Sequence, residues 1–231
     1  MSPPLTSVII PVYNGVTYLA ACLDSVFADP YRPLEVLVVD DGSEDGSGDL
    51  AEAYPEVRVI RQSNQGPSAA RNAGIAATEG PLVVFLDADD EVISGRLGLH
   101  AAFLDAHPET GAVFGREQIV LEQGHGAPAW FKRLDRRFHQ PGGVAMMSGM
   151  FRRIALERVG GFDTSLRWSE DLDLLFRFNE HEIPYEFTED DVLRRRIHGR
   201  NLTFQTDEIE KALFSSIRGR IERRREAEGR A

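Results

Sequence analysis

Acidic residues with clear chemical potential stand in three short clusters. They are Asp40–Asp41, the run Asp87-Ala88-Asp89-Asp90, and Glu170–Asp171. Carboxylates crowded in this way repel one another unless a cation or a hydrogen-bond donor joins them. Oxygen ligands at an Asp-x-Asp spacing suit Mg²⁺ or Mn²⁺, which also bind substrate phosphates. The pattern therefore indicates a divalent-metal site that accepts an anionic, phosphate-bearing substrate.

Each cluster also has a purely structural interpretation. Asp-Gly-Ser after a strand is a common turn and helix cap, which is the favoured interpretation of Asp40 and Asp41 taken alone. A single Asp-x-Asp also occurs in ordinary acidic turns, and Glu170 and Asp171 complement the positive end of a helix. The functional interpretation therefore depends on the joint order of the three clusters.

A repeated strand–helix pattern over the first ninety residues must position the first two clusters. Apolar, β-branched runs predict strands, and segments with helical spacing predict helices. The strands are Ser7–Val12, Leu34–Val39, Val57–Ile60 and Leu82–Leu86, and the helices are Tyr18–Phe27, Asp45–Tyr54 and Pro67–Thr78. Near-continuous apolar strands indicate a mostly parallel sheet flanked by helices. Ligands bind at the carboxyl ends of such strands, which is where these acids lie.

The second half of the chain has a less regular pattern. It predicts helices at Ser94–Ala106, Arg153–Val159, Glu170–Asn179 and Asp207–Arg225, and strands at Ala112–Leu121, Tyr185–Phe187 and Val192–Ile197. Residues 124–143 combine Gly, Pro and charges without a clear period, and we interpret them as a long binding loop. Neither a repeat nor a linker divides the chain, so we expect one domain over residues 1–231.

Composition argues against several classes of protein. The net charge of -11 disfavours nucleic-acid binding, which needs a basic face. Cys22 is the only cysteine, so no internal disulfide is expected and a metal site would need oxygen or imidazole ligands. Neither a signal peptide nor an apolar stretch of roughly 20 residues is apparent, so we expect a cytoplasmic protein without a transmembrane segment. The Arg-rich tail at 218–230 leaves a peripheral contact with the inner face of the membrane open, and a homodimer is also left open.

The motifs, taken in order, resemble the family 2 glycosyltransferases with the GT-A fold. The matching segments are SVIIPVYNG (7–15), EVLVVDDGSEDGS (35–47), NQGPSAARNAGIAATEG (64–80), VVFLDADDEV (83–92) and VGGFDTSLRWSEDLDLLFR (159–177). The resemblance implies an α/β, Rossmann-like fold with a mostly parallel sheet. It also implies a nucleotide-sugar-binding half at 1–111, a smaller acceptor-side half at 112–204 and a C-terminal helix at 205–231. Residues 112–145 and 205–231 match the family only loosely.

The resemblance also assigns roles to individual residues. The residues implied to bind the nucleotide-sugar are Pro11, Tyr13, Asp41, Arg71, Asp87 and Ala88. Tyr13 would stack on the base, Asp41 would accept a hydrogen bond from a uracil- or thymine-like edge, and Asp87 would hold the ribose.

Further roles implied by the resemblance concern the metal and the chemistry. Asp89 would bind Mn²⁺ or Mg²⁺, and His198 would be a further metal or diphosphate contact, with a plain surface histidine as the alternative. Asp171 would be the catalytic base, and Glu170 would help to place the acceptor.

These roles imply a metal-dependent, inverting transfer of one sugar from a nucleotide-sugar donor, with UDP or dTDP favoured, to a glycan or lipid-linked acceptor. Such a reaction belongs to glycan, glycolipid or cell-surface polysaccharide synthesis. The Gln-x-x-Arg-Trp motif of processive synthases does not occur in the sequence, so a non-processive enzyme is expected.

Three other functions are weighed against this one. An Asp-x-Asp phosphohydrolase would carry its motif after the first strand, where this chain has PVYNG. A sugar-nucleotide pyrophosphorylase would carry a Gly-rich basic loop at the same place. The pair Glu170–Asp171 disfavours a binding module without catalysis.

Overall fold

The computed structural model describes residues 2–122, 146–166 and 169–199. The strands in these ranges are β1 (Thr6–Val12), β2 (Leu34–Asp40), β3 (Val57–Arg61), β4 (Leu82–Phe85), β5 (Glu91–Val92), β6 (Ala112–Leu121), β7 (Gly149–Arg152) and β8 (Tyr185–Ile197). The α-helices are α1 (Val16–Ala28), α2 (Ser47–Glu52), α3 (Pro67–Ala77), α4 (Arg96–Ala106), α5 (Arg153–Val159) and α6 (Glu170–Glu180), and a 3-10 turn covers Met146–Ser148. No helix of the described ranges combines the length and the apolar character needed to cross a bilayer.

The strands form one mixed sheet in the order β3-β2-β1-β4-β7-β6-β8-β5. β1, β2, β3 and β4 are parallel to one another. β7 runs antiparallel to both β4 and β6, β6 and β8 are parallel, and β5 is antiparallel to β8. This architecture confirms the predicted α/β sheet flanked by helices, with an antiparallel strand inserted at β7 and another at the β5 edge.

The sheet must be strongly curled, because two strands close in sequence lie far apart in the strand order. Only residues 86–90 separate β4 from β5, yet β5 pairs with β8 at the far edge. Four strand spacings would cover about 19 Å in a flat sheet. Six extended residues reach roughly 20 Å. The connection also contains a turn in which the Asp90 amide donates to the Asp87 carbonyl at 3.0 Å, so it cannot be fully extended.

The predicted elements agree with the structure more closely in the first half than in the second. Each of the first four predicted strands and three predicted helices overlaps an observed element. In the second half, the two predicted strands Tyr185–Phe187 and Val192–Ile197 are one strand, β8, because β6 pairs with it on both sides of a register shift. β5 and β7 are too short to produce a periodic signal. The predicted loop at 124–143 and the helix Asp207–Arg225 lie outside the described residues.

The core sits between the central strands and the helices on either face. Val8, Ile9 and Ile10 of β1 are fully buried, as expected for a strand covered on both sides. Helix α3 approaches β1 so closely that a Cβ on Gly74 would come within 2.3 Å of the Ile9 side chain. This close packing brings Arg71, one turn earlier on α3, to the carboxyl end of β4.

Candidate active site

The loops that follow β1 and β2 are joined by hydrogen bonds from backbone amides to side chains. The pairs are Asn14 N to Ser43 Oγ, Gly15 N to Ser47 Oγ and Val16 N to Asp45 Oδ2, each at 3.0 Å, and Glu44 N to Asn14 Oδ1 at 2.9 Å. The amides of Gly15 and Val16 at the start of α1 therefore already have partners. These two amides are therefore not free to bind a phosphate, as amides at a helix start do in dinucleotide-binding proteins.

Two predicted nucleotide contacts stand at the ends of adjacent parallel strands. The amide of Asp41 donates to the carbonyl of Val12 at 2.8 Å, and Tyr13 follows Val12 with 56 % of its surface exposed. Pro11 lies one residue before Val12 and is partly buried. An exposed ring at this edge is available to stack on a planar ligand.

The two neighbouring acids Asp40 and Asp41 have different partners. Asp40 Oδ1 accepts a hydrogen bond from the Ser43 amide at 2.9 Å, which is the turn-capping role. Asp41 accepts from the amides of Gln65 and Gly66 and from the side chain of Gln62, at 2.7–2.9 Å. These bonds fix the loop before α3. A carboxylate has about four acceptor positions, so these three bonds leave one acceptor position of Asp41 unused, on a residue that is 3 % exposed.

The acids after β4 form a compact cluster. Asp87, Asp89 and Asp90 each offer a carboxylate oxygen, and these atoms all lie within 4.8 Å of one another. Burial, together with the charges of Asp89 and Asp87, raises the pKa of Asp90 well above its usual value. Its Oδ1 accepts a hydrogen bond from the Arg196 amide at 3.0 Å, which joins the cluster to β8. Ala88 lies between these acids and is partly buried.

His198 lies directly against this cluster. Its Nε2 is 3.0 Å from Asp89 Oδ2, and the residue is 6 % exposed. Its ring stacks on Tyr18 with 4.6 Å between centroids, and the Tyr18 hydroxyl donates to Glu122 at 3.1 Å. His198 is therefore not a surface histidine, which removes one of the two interpretations of the sequence.

Arg71 joins the acidic cluster to the start of α6. Its Nη2 donates to Asp87 Oδ1 at 3.1 Å and its Nη1 donates to Glu170 Oε1 at 2.8 Å. Burial lowers the pKa of Arg71, but Asp87 and Glu170 raise it, and the net shift is upward. The guanidinium therefore stays charged. The sequence predicts a nucleotide contact for Arg71 and does not indicate this bridge to Glu170.

Glu170 and Asp171 begin α6 and differ in environment. Glu170 is buried, and burial followed by the charge of Asp171 raises its pKa to about 7, against the opposing effect of Arg71. Asp171 is partly exposed. The arrangement brings one solvent-accessible carboxylate and one shielded carboxylate to the same edge of the sheet as the acidic cluster.

Sequence reasoning missed two charged residues of this region, Glu117 on β6 and Arg195 on β8. Arg195 Nη1 lies 3.4 Å from Glu117 Oε2, and the Glu117 side chain is 3 % exposed. The run REQIVL offers a weak signal, because Glu117 is in phase with the partly buried Ile119. The run RRRI does not distinguish Arg195 from its neighbours.

A family model described as "Glycosyl transferase family 2" matches residues 7–160. The uncharacterized glycosyltransferase RT0329 of Rickettsia typhi is 27% identical over 213 residues, which cover 87% of this chain and 66% of that protein.

Two solved structures share the fold. One is S. aureus TarS 1-349 in complex with UDP-GlcNAc, with a TM-score of 0.68, 24% identity, and coverage of 87% of this chain and 60% of that chain. The other is the mannosyltransferase PcManGT from Pyrobaculum calidifontis in complex with GDP-Man and Mn²⁺, with a TM-score of 0.77, 23% identity, and coverage of 96% and 65%. The chain thus spans about two thirds or less of the length of these three proteins.

Proposed function

The chain belongs to glycosyl transferase family 2, and we propose that it transfers one sugar from a nucleotide diphosphate sugar to an acceptor hydroxyl, with inversion at the anomeric carbon. One observation carries this proposal. The acidic cluster after β4 and the pair Glu170–Asp171 meet at one edge of the sheet, joined by the two hydrogen bonds of Arg71. Such a site holds an anionic donor on one side and offers a base on the other.

The donor is proposed to bind across the ends of β1, β2 and β4. The exposed ring of Tyr13 and the remaining acceptor position of Asp41 support a nucleotide base there. The structures of TarS with UDP-GlcNAc and of PcManGT with GDP-Man make both UDP and GDP reasonable probes. UDP- or dTDP-linked sugars remain our proposal for the donor, since Asp41 can accept from the imide N–H of uracil or thymine.

The acidic cluster fits a hard divalent cation. Three carboxylate oxygens within 4.8 Å of one another supply the ligand type that Mn²⁺ and Mg²⁺ prefer. The 3.0 Å between His198 Nε2 and Asp89 Oδ2 also suits adjacent ligands, since two ligands at ~2.1 Å and right angles lie ~3 Å apart. A bound Mn²⁺ or Mg²⁺ would neutralise charge on the diphosphate and help to orient it.

The proposed reaction is one displacement at the anomeric carbon. The acceptor oxygen forms a bond to that carbon from the face opposite the diphosphate. The carbon–oxygen bond to the diphosphate breaks, and its electron pair leaves with the diphosphate. Asp171 takes the acceptor proton, a role that suits its partly exposed carboxylate. Glu170, held by Arg71, is proposed to set the position of the acceptor beside Asp171.

A panel of UDP-, GDP- and dTDP-linked sugars, with and without Mn²⁺, tests the donor and the metal. We expect one donor to raise the melting temperature, and a chelator to remove the shift. Adding an oligosaccharide or lipid-linked acceptor should then release the free nucleoside diphosphate. If a donor binds but no acceptor in a broad panel causes release, the chain is a binding module and the proposal is wrong.

The variant Asp171→Asn tests the base. General base catalysis contributes typically about 10²- to 10⁴-fold, so transfer should fall by about that factor while donor binding is kept. Glu180→Gln, at the other end of α6, is the control and should transfer at the wild-type rate. Near-wild-type transfer by Asp171→Asn would remove Asp171 as the base. Retention of configuration at the anomeric carbon, measured by NMR, would rule out the single displacement.

Three further proposals, on domain organisation, location and oligomeric state, are based on the sequence alone. They are the single-domain organisation, the cytoplasmic location with a peripheral membrane contact through the tail, and the homodimer. Co-sedimentation with anionic lipid vesicles and sedimentation velocity would test the last two.

A further inference from the structure

Glu117 is a buried acid that the proposed reaction does not use. Its side chain is 3 % exposed, and Oε1 has no hydrogen-bond partner among the residues that the structure describes. Burial raises the pKa of Glu117, and Arg195 opposes that shift. A buried carboxylate costs several kcal/mol unless a partner compensates it. Arg195, at 3.4 Å, is the partner that Glu117 holds.

The strand register explains this contact. Glu117 pairs with Leu193, and Ile119 pairs with Arg195, so Glu117 and Arg195 are diagonal neighbours on β6 and β8. Long side chains reach each other across such a diagonal. The adjacent residue Arg116 forms a different pair, with Asp191 at 3.5 Å, and both of those side chains are 45% exposed. One strand pair thus carries a solvated ion pair and a shielded one.

Arg195 lies on β8 next to the acidic cluster, because the amide of the following residue, Arg196, donates to Asp90 Oδ1 at 3.0 Å. Burial lowers the pKa of Arg195, whereas the charges of Glu117, Asp90, Asp87 and Asp171 raise it, and the net shift is upward. Its side chain keeps 20% of its surface exposed, whereas that of Arg71 keeps 5% and makes hydrogen bonds to two carboxylates. The Arg195 side chain is therefore more exposed than that of Arg71, and Glu117 is the carboxylate that it contacts.

We propose that Arg195, positioned by Glu117, contacts the diphosphate of the donor and stabilises the charge that develops there as the bond to the sugar breaks. This inference rests on the proposed function. A guanidinium forms two parallel hydrogen bonds to phosphate oxygens, a geometry that lysine does not reproduce. Arg195 is a catalytic residue in this scheme, and Glu117 is a positioning residue that acts through it.

Calorimetric titration of the full chain with UDP, UMP, GDP and GMP, in the presence of Mn²⁺, tests the contact. For whichever nucleotide binds the wild type, Arg195→Gln and Arg195→Lys should weaken the diphosphate by about 10- to 100-fold. The corresponding monophosphate should bind with little change. Arg194→Gln is the control, because Arg194 lies on the same strand with a side chain 52% exposed. Equal losses for diphosphate and monophosphate, or no loss for either, would overturn the contact.

A double-mutant cycle tests the positioning role of Glu117. Glu117→Gln keeps the size of the side chain and removes its charge, and it should weaken diphosphate binding by about tenfold. If Glu117 acts only through Arg195, Glu117→Gln combined with Arg195→Gln should bind diphosphate no worse than Arg195→Gln alone. Losses that multiply would show that Glu117 acts by another route. Should Glu117→Gln fail to fold, the two Arg195 variants decide on the contact alone.

The outcomes separate this inference from the function on which it depends. If the wild type binds neither UDP nor GDP and transfers no sugar, the proposed function fails and the role of Arg195 falls with it. If the wild type transfers sugar and Arg195→Lys does so with unchanged kcat and KM, the proposed function stands and this inference alone is wrong.

Discussion

The two halves proposed from the sequence hold several of their acids differently. Their described residues are 2–111 for the donor-side half, and 112–122, 146–166 and 169–199 for the acceptor-side half. In the donor-side half, Asp41 and Asp45 accept hydrogen bonds from backbone amides of neighbouring loops. In the acceptor-side half, Glu170 and Glu117 are shielded and meet arginine side chains. The hydrogen bonds from backbone amides fix the positions of neighbouring loops. The contacts between glutamate and arginine join elements that are far apart in the sequence.

The two regions also differ in how they depend on pH. Three of the bonds that join the loops after β1 and β2 have the neutral acceptors Asn14, Ser43 and Ser47, so these bonds do not depend on the titration of an acid. The contact between α3 and α6 depends on Glu170, whose pKa lies at about 7 beside Arg71 and Asp171. The contact between α3 and α6 is therefore sensitive to charge, whereas these three loop contacts are not.

The largest effect is expected from removing the charge that joins the halves. Arg71→Met should lower the free energy of unfolding by roughly 3–5 kcal/mol, because it leaves Glu170 buried without a cation. Most of that loss comes from Glu170, since the Asp87 side chain is 41% exposed. Urea denaturation at neutral pH measures it. A loss below about 1 kcal/mol, typical of surface pairs, would show that the halves do not depend on this bridge.

A somewhat smaller effect is expected from pH. The folded-state pKa of Glu170 is raised from 4.5 to about 7, so the folded protein binds more protons than the unfolded chain between these values. Stability contributed by this group should therefore fall as pH rises from 5 to 8, by up to about 3 kcal/mol. Wild type and Glu170→Gln are compared by urea denaturation across this range. Parallel curves for the two proteins would contradict the assignment.

A neutral contact between the halves should matter less and should not depend on pH. Asn72 on α3 donates to the Phe162 carbonyl and accepts from the Phe162 amide, both at 2.8 Å. Asn72→Ala should cost about 1–3 kcal/mol, equally at pH 5 and pH 8. Asn179→Ala is the control, because the hydrogen bonds of Asn179 to the Leu175 carbonyl and the Tyr185 hydroxyl both stay within the acceptor-side half. A loss of stability for Asn72→Ala that depends on pH would contradict the conclusion that only the charged contact between the halves depends on pH.

The smallest effect is expected from a change confined to the donor surface. Tyr13→Ala removes an exposed ring, so the free energy of unfolding should not change measurably. Loss of stacking should weaken binding of the preferred nucleoside diphosphate by about 2- to 12-fold. Tyr13→Phe keeps the ring and should bind like the wild type. A destabilised Tyr13→Ala would mean that the ring packs against the protein and is not free to stack on a nucleotide.

Sequence patterns predict the donor-side half well because its signals are local. An apolar run followed by an acid marks the end of a strand, so the neighbourhood of Asp87 and Asp89 follows from the sequence once the sheet is known to be parallel. The predicted strands and helices of this half overlap the observed ones. One contact of this half was not predicted from the sequence, namely the tight packing of α3 on β1 at Gly74.

The acceptor-side half depends on pairings that no local pattern contains. Arg71 and Glu170 are 99 residues apart, and the bridge between them depends on how the chain after β7 returns to α3, where Asn72 also bonds to Phe162. The position of Arg195 depends on the register shift between β6 and β8, which decides which of three consecutive arginines meets Glu117. His198 follows the same strand, so its contact with Asp89 also depends on that register.

The curl of the sheet gives the acidic turn a mechanical role. The turn is a short tether that leaves the sheet at β4 and rejoins it at the far edge, where β5 pairs with β8. Flattening the sheet would stretch this tether and separate Asp87, just after β4, from Asp89, whose carbonyl accepts a hydrogen bond from Arg196 of β8. The distance between the proposed metal ligands therefore changes whenever the curvature of the sheet changes. A substitution far from the site that reduces the curvature would weaken metal binding. Conversely, a metal ion bound to the acidic cluster would reduce the motion of the edge formed by β8 and β5.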